Sequence, residues 1–180
     1  VYKILEQVAN DPSKNAKIAI LTANKDNDVL KEVCRLAYDP SINFYIKKIP
    51  AYTPSTDPNP VKLGFALTSL NRIATRSITG NAAITFVQEL LSQLSASDAD
   101  VLARVVARDL RAGFSDSTIN KVWKDLIPEF PYMRCSLPKA VKLDTYTWAE
   151  GVYSQLKADG MYANVNLYDD GSVSILSRAG

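Results

Sequence analysis

The chain has 180 residues, 47% hydrophobic and 22% charged, enough for one ordinary domain, or for a small domain and part of another, around a buried core. It contains no histidine, which removes Ser-His and Cys-His catalysis, histidine general bases and histidine-ligated zinc. A net charge of +2 does not mark a nucleic-acid partner by itself, and no apolar run is long enough to span a bilayer.

Apolar spacing is helical from Val1 to about Pro131. Ile4, Leu5 and Val8 predict a short helix ending at Asn10-Asp11-Pro12, and Ile18, Ile20 and Leu21 mark a second. Leu30, Val33, Leu36 and Ala37 form a stripe capped by Asp26 or Asn27. Cys34 lies among these apolar residues and reads as a core thiol; neither it nor Cys135 has metal-ligand spacing, and a reducing, cytoplasmic setting is expected. Four prolines between Pro50 and Pro60 predict an exposed loop. Leu63, Leu67, Leu70 and Ile73 resume the helical pattern, and Thr79-Gly80-Asn81 predicts a turn and cap before Ile84, Val87, Leu90, Leu91 and Leu94.

Ser97 with Asp100 predicts a capping box for the next helix. There Val101, Leu102, Val105, Val106 and Leu110 fall on one face, with Arg104, Arg108 and Arg111 opposite. Gly113 suits the position that ends such a helix, and Ser115 or Asp116 can cap another. Asp109 projects toward the apolar side and is expected to cap amides near Ser117 as a buried link between the two helices. Trp123 and Trp148 read as packing residues. The arginine stripe, extended by Lys121 and Lys124, could track a nucleic-acid backbone, although most such stripes are solvated faces.

Beyond about Lys139 the pattern becomes strand-like. Tyr162 to Tyr168 alternates as a strand, Asp170-Gly171 predicts a tight turn, and Val173 to Leu176 returns as the partner. One hairpin cannot close a sheet domain, so this part is expected to be incomplete. The expected organisation is a mainly α domain over 1–131, a linker at 132–138, and the first strands of an α+β domain over 139–180.

Lys157-Ala158-Asp159-Gly160 matches K-x-D-G, a short pattern that is weak alone. Ser177-Arg178-Ala179-Gly180 matches S-R-x-G and follows it across one hairpin. Upstream, Ala74 to Ile84, Arg108-Asp109-Leu110-Arg111-Ala112-Gly113, Ile119-Asn120-Lys121-Val122-Trp123, Lys25 to Lys31 and Tyr45-Ile46-Lys47-Lys48 extend the similarity almost to the N-terminus. Together these segments resemble the ATP-dependent DNA ligases of T-even-type bacteriophages, in family order and over nearly the whole chain.

The resemblance implies a helical DNA-binding domain followed by the start of an ATP-grasp-like nucleotidyltransferase (adenylation) domain. It implies Lys157 as the nucleophile that takes AMP from ATP with Mg²⁺, and Gln155, Leu156, Asp159, Gly160 and Arg178 as further nucleotide contacts. It implies Arg76, Thr79, Gly80, Asn81, Arg104, Arg108, Arg111 and Lys121 as contacts to nicked duplex DNA, in a monomer serving replication, repair and recombination in a bacterial host's cytoplasm. Lysine suits the nucleophile's role because its pKa falls readily when desolvated or placed beside other cations.

Two departures matter. The family pattern K-x-D-G-x-R ends here in Tyr162, which carries no charge at neutral pH. The family's glutamate-bearing third motif, later lysines and OB-fold domain would lie beyond Gly180, so these 180 residues alone are expected not to seal nicks. Two other readings are a DNA-binding module that retains only the helical domain, and an RNA ligase or capping enzyme. The helical domain argues against the latter.

Overall fold

A computed structural model describes residues 1–129, 142–153, 160 and 163–177. The chain divides into two compact units, Val1–Pro128 and Glu129–Gly180. The expected linker, 132–138, lies outside the described residues.

The first unit is helical: α1 (Tyr2–Asn10), α2 (Lys14–Ala23), α3 (Asp28–Tyr38), α4 (Leu63–Ser69), α5 (Asn71–Ala74), α6 (Gly80–Gln93), α7 (Ala96–Ala107) and α8 (Asp116–Val122). Local chemistry sets several of their ends. Pro12 disfavours helical backbone at Asp11, where α1 stops. The Ser13 hydroxyl accepts the Ala16 amide at the start of α2, and the Asn27 side chain accepts the Leu30 amide at the start of α3.

The proline-rich loop is not left free. The Ser55 amide donates to Leu94 O (2.8 Å), the Val61 amide to Gln93 O (3.1 Å), and Gln88 Nε2 to Ala51 O (2.9 Å). It thereby supplies partners to the C-terminal carbonyls that α6 cannot pair internally.

Helix α7 sits at the centre, against α1, α3, α4 and α6. Val101, Leu102 and Val105 have no exposed surface, and Ala99, Arg104 and Val106 are buried as well. This corrects the expectation of one apolar and one solvated face: with helices around it, α7 buries Arg104 as well, while Arg108 and Arg111 lie past its last helical residue.

Two further expectations are corrected. The cap of α7 is Ser95, whose hydroxyl accepts the Asp98 amide (3.3 Å), rather than the Ser97–Asp100 pair. The helix also ends earlier than Gly113, at Arg108 in left-handed conformation (φ 57°). Arg108 Nη2 donates to Asp39 O (2.7 Å), a tertiary bond that holds this non-glycine residue in a conformation usually left to glycine.

Asp109 is exposed, and its carboxylate accepts the Arg111 amide (2.9 Å) in a local turn, so no buried cap joins α7 to α8. The link comes from elsewhere. Lys17 Nζ donates to the Ala112 and Gly113 carbonyls (2.7 and 3.0 Å), and Tyr38 Oη donates to Phe114 O (2.9 Å) while its ring stacks on that phenyl. Trp123 closes the end of the unit as a buried residue, its indole N–H donating to Lys25 O (2.9 Å).

In the second unit, short 3-10 turns at Leu143–Thr145 and Trp148–Glu150 precede an antiparallel hairpin, β1 (Asn164–Leu167) with β2 (Val173–Leu176). Register pairs Val165 with Ile175 and Leu167 with Val173. The expected Asp170-Gly171 turn forms: Gly171 has φ 80° and the Asp170 carboxylate accepts the Ser172 amide (2.9 Å). A bond from the Ser172 hydroxyl, followed by that amide bond, holds the Asp170 carboxyl below its ordinary pKa. Val165, Leu167, Val173 and Ile175 are exposed, and so is Trp148, which the sequence placed in packing.

Candidate nucleic-acid interface

A cleft of about 170 Å³ opens on the first unit between the segment around Tyr45, the end of α5 and the start of α6. Its floor is apolar, with Phe44, Ile73 and Ala83, and its rim carries Arg76, Thr79, Gly80 and Asn81. Four expected DNA contacts thus share one site. Sequence proximity alone does not guarantee this, because Arg76 must turn back toward a helix that begins four residues later.

Backbone conformation makes that turn. After α5, Arg76 adopts a left-handed conformation (φ 60°), and the Ile78 amide reaches the Arg72 carbonyl (3.0 Å). Thr79 is the extended N-cap residue of α6, but its side chain makes no capping bond. Gly80 follows at φ 58°, with open space where a Cβ would stand. The first turn of α6 therefore presents backbone N–H groups at the rim, where the positive end of the helix dipole favours an anion.

The guanidinium groups nearby are held by rings. Arg76 lies 4.7 Å from the Tyr45 ring centroid, and Arg72 lies 4.9 Å from that of Phe86. Sequence singles out neither Arg72 nor Phe86, and names Tyr45 only within the family-like segment Tyr45-Ile46-Lys47-Lys48, without a role. Tyr45 and Arg76 are separated by the proline-rich loop, α4 and α5, and no local pattern announces their contact.

The remaining expected contacts fall into different surroundings. Arg104 is buried: Nη2 meets Glu6 at 2.7 Å, Nε stands 2.8 Å from Asp100 Oδ2, Nη1 donates to Leu110 O (3.2 Å), and the group lies 5.5 Å from the Tyr2 ring centroid. It ties α1 to α7 and is not available to a duplex, which corrects its place in the stripe. Burial alone would lower its pKa, but bonds to Glu6 and Asp100 override that and raise it. Arg108 is half-buried, its pKa lowered by desolvation despite the nearby Asp39 carboxylate. Arg111 and Lys121 are exposed; Arg111 lies beyond the end of α7 in its own left-handed turn (φ 54°).

Of the nucleotide-site residues, Gly160 is described and exposed. Gln155, Leu156, Lys157, Asp159 and Arg178, together with Tyr162, lie outside the described residues. Among the described residues no group of three or more His, Cys, Asp or Glu could hold a metal, and no helix is long and apolar enough to cross a membrane.

Comparison with known proteins gives a consistent picture. The chain is 38% identical, over 196 aligned residues and all of its own length, to the DNA ligase of Enterobacteria phage T4, and equally to that of phage T6. It spans 38% of the length of each. Two solved chains named Pmar-Lig_PreS3 and Pmar-Lig_Pre share its fold, with TM-scores of 0.72 and 0.76 at 24% and 23% identity. Each match covers 99% of this chain and 42% of the solved one. No family model matches the sequence.

Proposed function

We propose that the chain is the leading portion of an ATP-dependent DNA ligase, with a helical unit that holds duplex DNA at a nick and a nucleotidyltransferase segment whose nucleophile is Lys157. The observation that carries this reading is the 38% identity to two phage DNA ligases along the entire chain. The K-x-D-G and S-R-x-G elements, in family order around the β1–β2 hairpin, support it.

In this reading the neutral amine of Lys157 attacks the α-phosphorus of ATP. An N–P bond forms, the bond to the β-phosphate oxygen breaks, pyrophosphate leaves and the amine loses a proton. An oxygen of the nick 5′-phosphate then attacks the phosphorus of the lysyl-AMP, breaking the N–P bond and giving a DNA-adenylate. The adjacent 3′-hydroxyl attacks the DNA 5′-phosphorus, forming the phosphodiester and releasing AMP and a proton. Mg²⁺ entering with ATP supplies charge neutralisation on the phosphates. Gln155, Leu156, Asp159, Gly160 and Arg178 line the nucleotide, the Arg178 guanidinium fork being suited to phosphate or ribose oxygens.

DNA contacts fall to Arg76, Thr79, Gly80 and Asn81 at the cleft, with Arg108, Arg111 and Lys121 outside it. They engage phosphates rather than base edges, as an enzyme acting at any sequence requires.

Grafting tests the reading directly. A chimaera in which this chain replaces the matching segment of phage T4 DNA ligase should seal a nicked duplex with ATP and Mg²⁺, and its Lys157→Ala form should not. A folded chimaera that never becomes adenylated would contradict the assignment. The 180 residues alone are expected to leave nicks unsealed, and sealing by the isolated chain would show that no further motif is needed.

A further inference from the structure

We infer that Tyr45 is a positioning residue for DNA binding: its ring holds the Arg76 guanidinium at the mouth of the α5–α6 cleft, where it meets one sugar–phosphate unit of a strand. This rests on the DNA-binding reading above and gives a role to a residue that the sequence resemblance names only within the segment Tyr45-Ile46-Lys47-Lys48.

Three observations carry it. Tyr45 is 60% exposed, so its ring is not there to fill the core. Its backbone is left-handed (φ 55°), held by a turn in which the Asn43 carboxamide accepts the Tyr45 amide at 2.8 Å. Arg76 is also left-handed, and the two meet with the guanidinium 4.7 Å from the ring centroid. Two non-glycine residues in a conformation that costs energy, touching each other at the rim of one cleft, mark a place where geometry is maintained for a purpose other than packing.

The chemistry of the cleft selects the ligand. Its apolar floor of Phe44, Ile73 and Ala83 suits a deoxyribose face, while Arg76 and the amides of Gly80 and Asn81 line the rim as donors to a phosphate. A free arginine loses rotamer entropy when it pairs with a phosphate; one already laid on a ring loses less. The ring's electron-rich face also keeps the cation in place without neutralising it, as a carboxylate partner would.

The test is binding of the chain to a fluorescein-labelled nicked duplex, read by anisotropy at several salt concentrations. Tyr45→Phe should stay within about twofold of the unmodified chain, and Tyr45→Ala should bind about twofold to tenfold more weakly, as loss of a cation–ring contact implies. In an Arg76→Ala background, Tyr45→Ala should cost nothing further. The inference is overturned if Tyr45→Ala binds like the unmodified chain, if Tyr45→Phe loses as much as Tyr45→Ala, or if the Tyr45→Ala loss persists without Arg76. The last result would also expose a general effect on folding. Failure of the unmodified chain to bind any duplex would remove the DNA-binding reading and this inference together, whereas binding indifferent to Tyr45 would remove this inference alone.

Discussion

Arg104 illustrates how a single side chain changes meaning between a helical wheel and a packed molecule. On the wheel it belongs with Arg108 and Arg111; in the fold its side chain is 9% exposed and joins Glu6, Asp100 and the Leu110 carbonyl. Arg104→Ala leaves two carboxylates facing an apolar seam between α1 and α7. A fully buried pair broken this way costs about 3–5 kcal/mol, and the partial exposure of Glu6 and Asp100 reduces the expected loss to about 2–3 kcal/mol. Arg111→Ala, at the exposed turn, should change stability by less than about 0.5 kcal/mol while weakening duplex binding. Urea unfolding and salt-dependent binding of both variants check the division; equal stabilities would return Arg104 to the surface stripe. Cys34 is legible at this scale and needs no revision. It has no exposed surface and burial pushes its thiol up to about 12. In a Cys135→Ser background the native chain should therefore resist a thiol reagent at neutral pH and react on unfolding. Rapid native labelling would mean that α3 opens readily.

Among the elements, the loop between α7 and α8 departs most from expectation, and the reason is tertiary. Sequence offers Gly113 as the natural helix terminator, and Gly113 is indeed left-handed (φ 62°), but α7 has already ended at Arg108, held by the Asp39 carbonyl across the fold. Ser95 and Ser97 present a similar ambiguity. Each has an aspartate three residues on, and Asp100 is drawn instead to Arg104. By contrast, Asn27 and the Asp170-Gly171 turn act through neighbours in sequence, so their places could be read directly, whereas Ser115 takes the N-cap position of α8 without a side-chain capping bond. The loop's hold on α2 gives an element-level prediction. A Cβ at Gly113 would meet Lys17 Nζ at 2.7 Å, whereas one at Gly80 would meet nothing within 4 Å. Both substitutions incur the left-handed penalty of about 1–2 kcal/mol, and Gly113→Ala should cost more because it also disturbs the lysine bonded to Ala112 and Gly113. Equal losses in parallel melts would mean that Lys17 shifts aside freely.

For the molecule as a whole, two kinds of legibility coincide. Periodicity identified a helical part and a hairpin part because both patterns are local; the cleft had to wait for the fold, since Tyr45 and Arg76 come together only once α4 and α5 are packed. The chemistry assigned to Lys157 rests on motif order and on identity to two phage ligases, not on the cleft. In the proposed reading the helical unit supplies the grip and the lysine segment the covalent step, so the two claims can fail separately. The most direct measurement is covalent labelling. The natural protein that carries this chain is incubated with ATP labelled at the α-phosphate and Mg²⁺, then resolved under denaturing conditions. The expected result is a radioactive adenylate retained on the protein, released by nicked DNA and absent from Lys157→Ala. A folded protein that binds nicked duplex but takes up no label, or one whose label survives Lys157→Ala, would contradict the assignment.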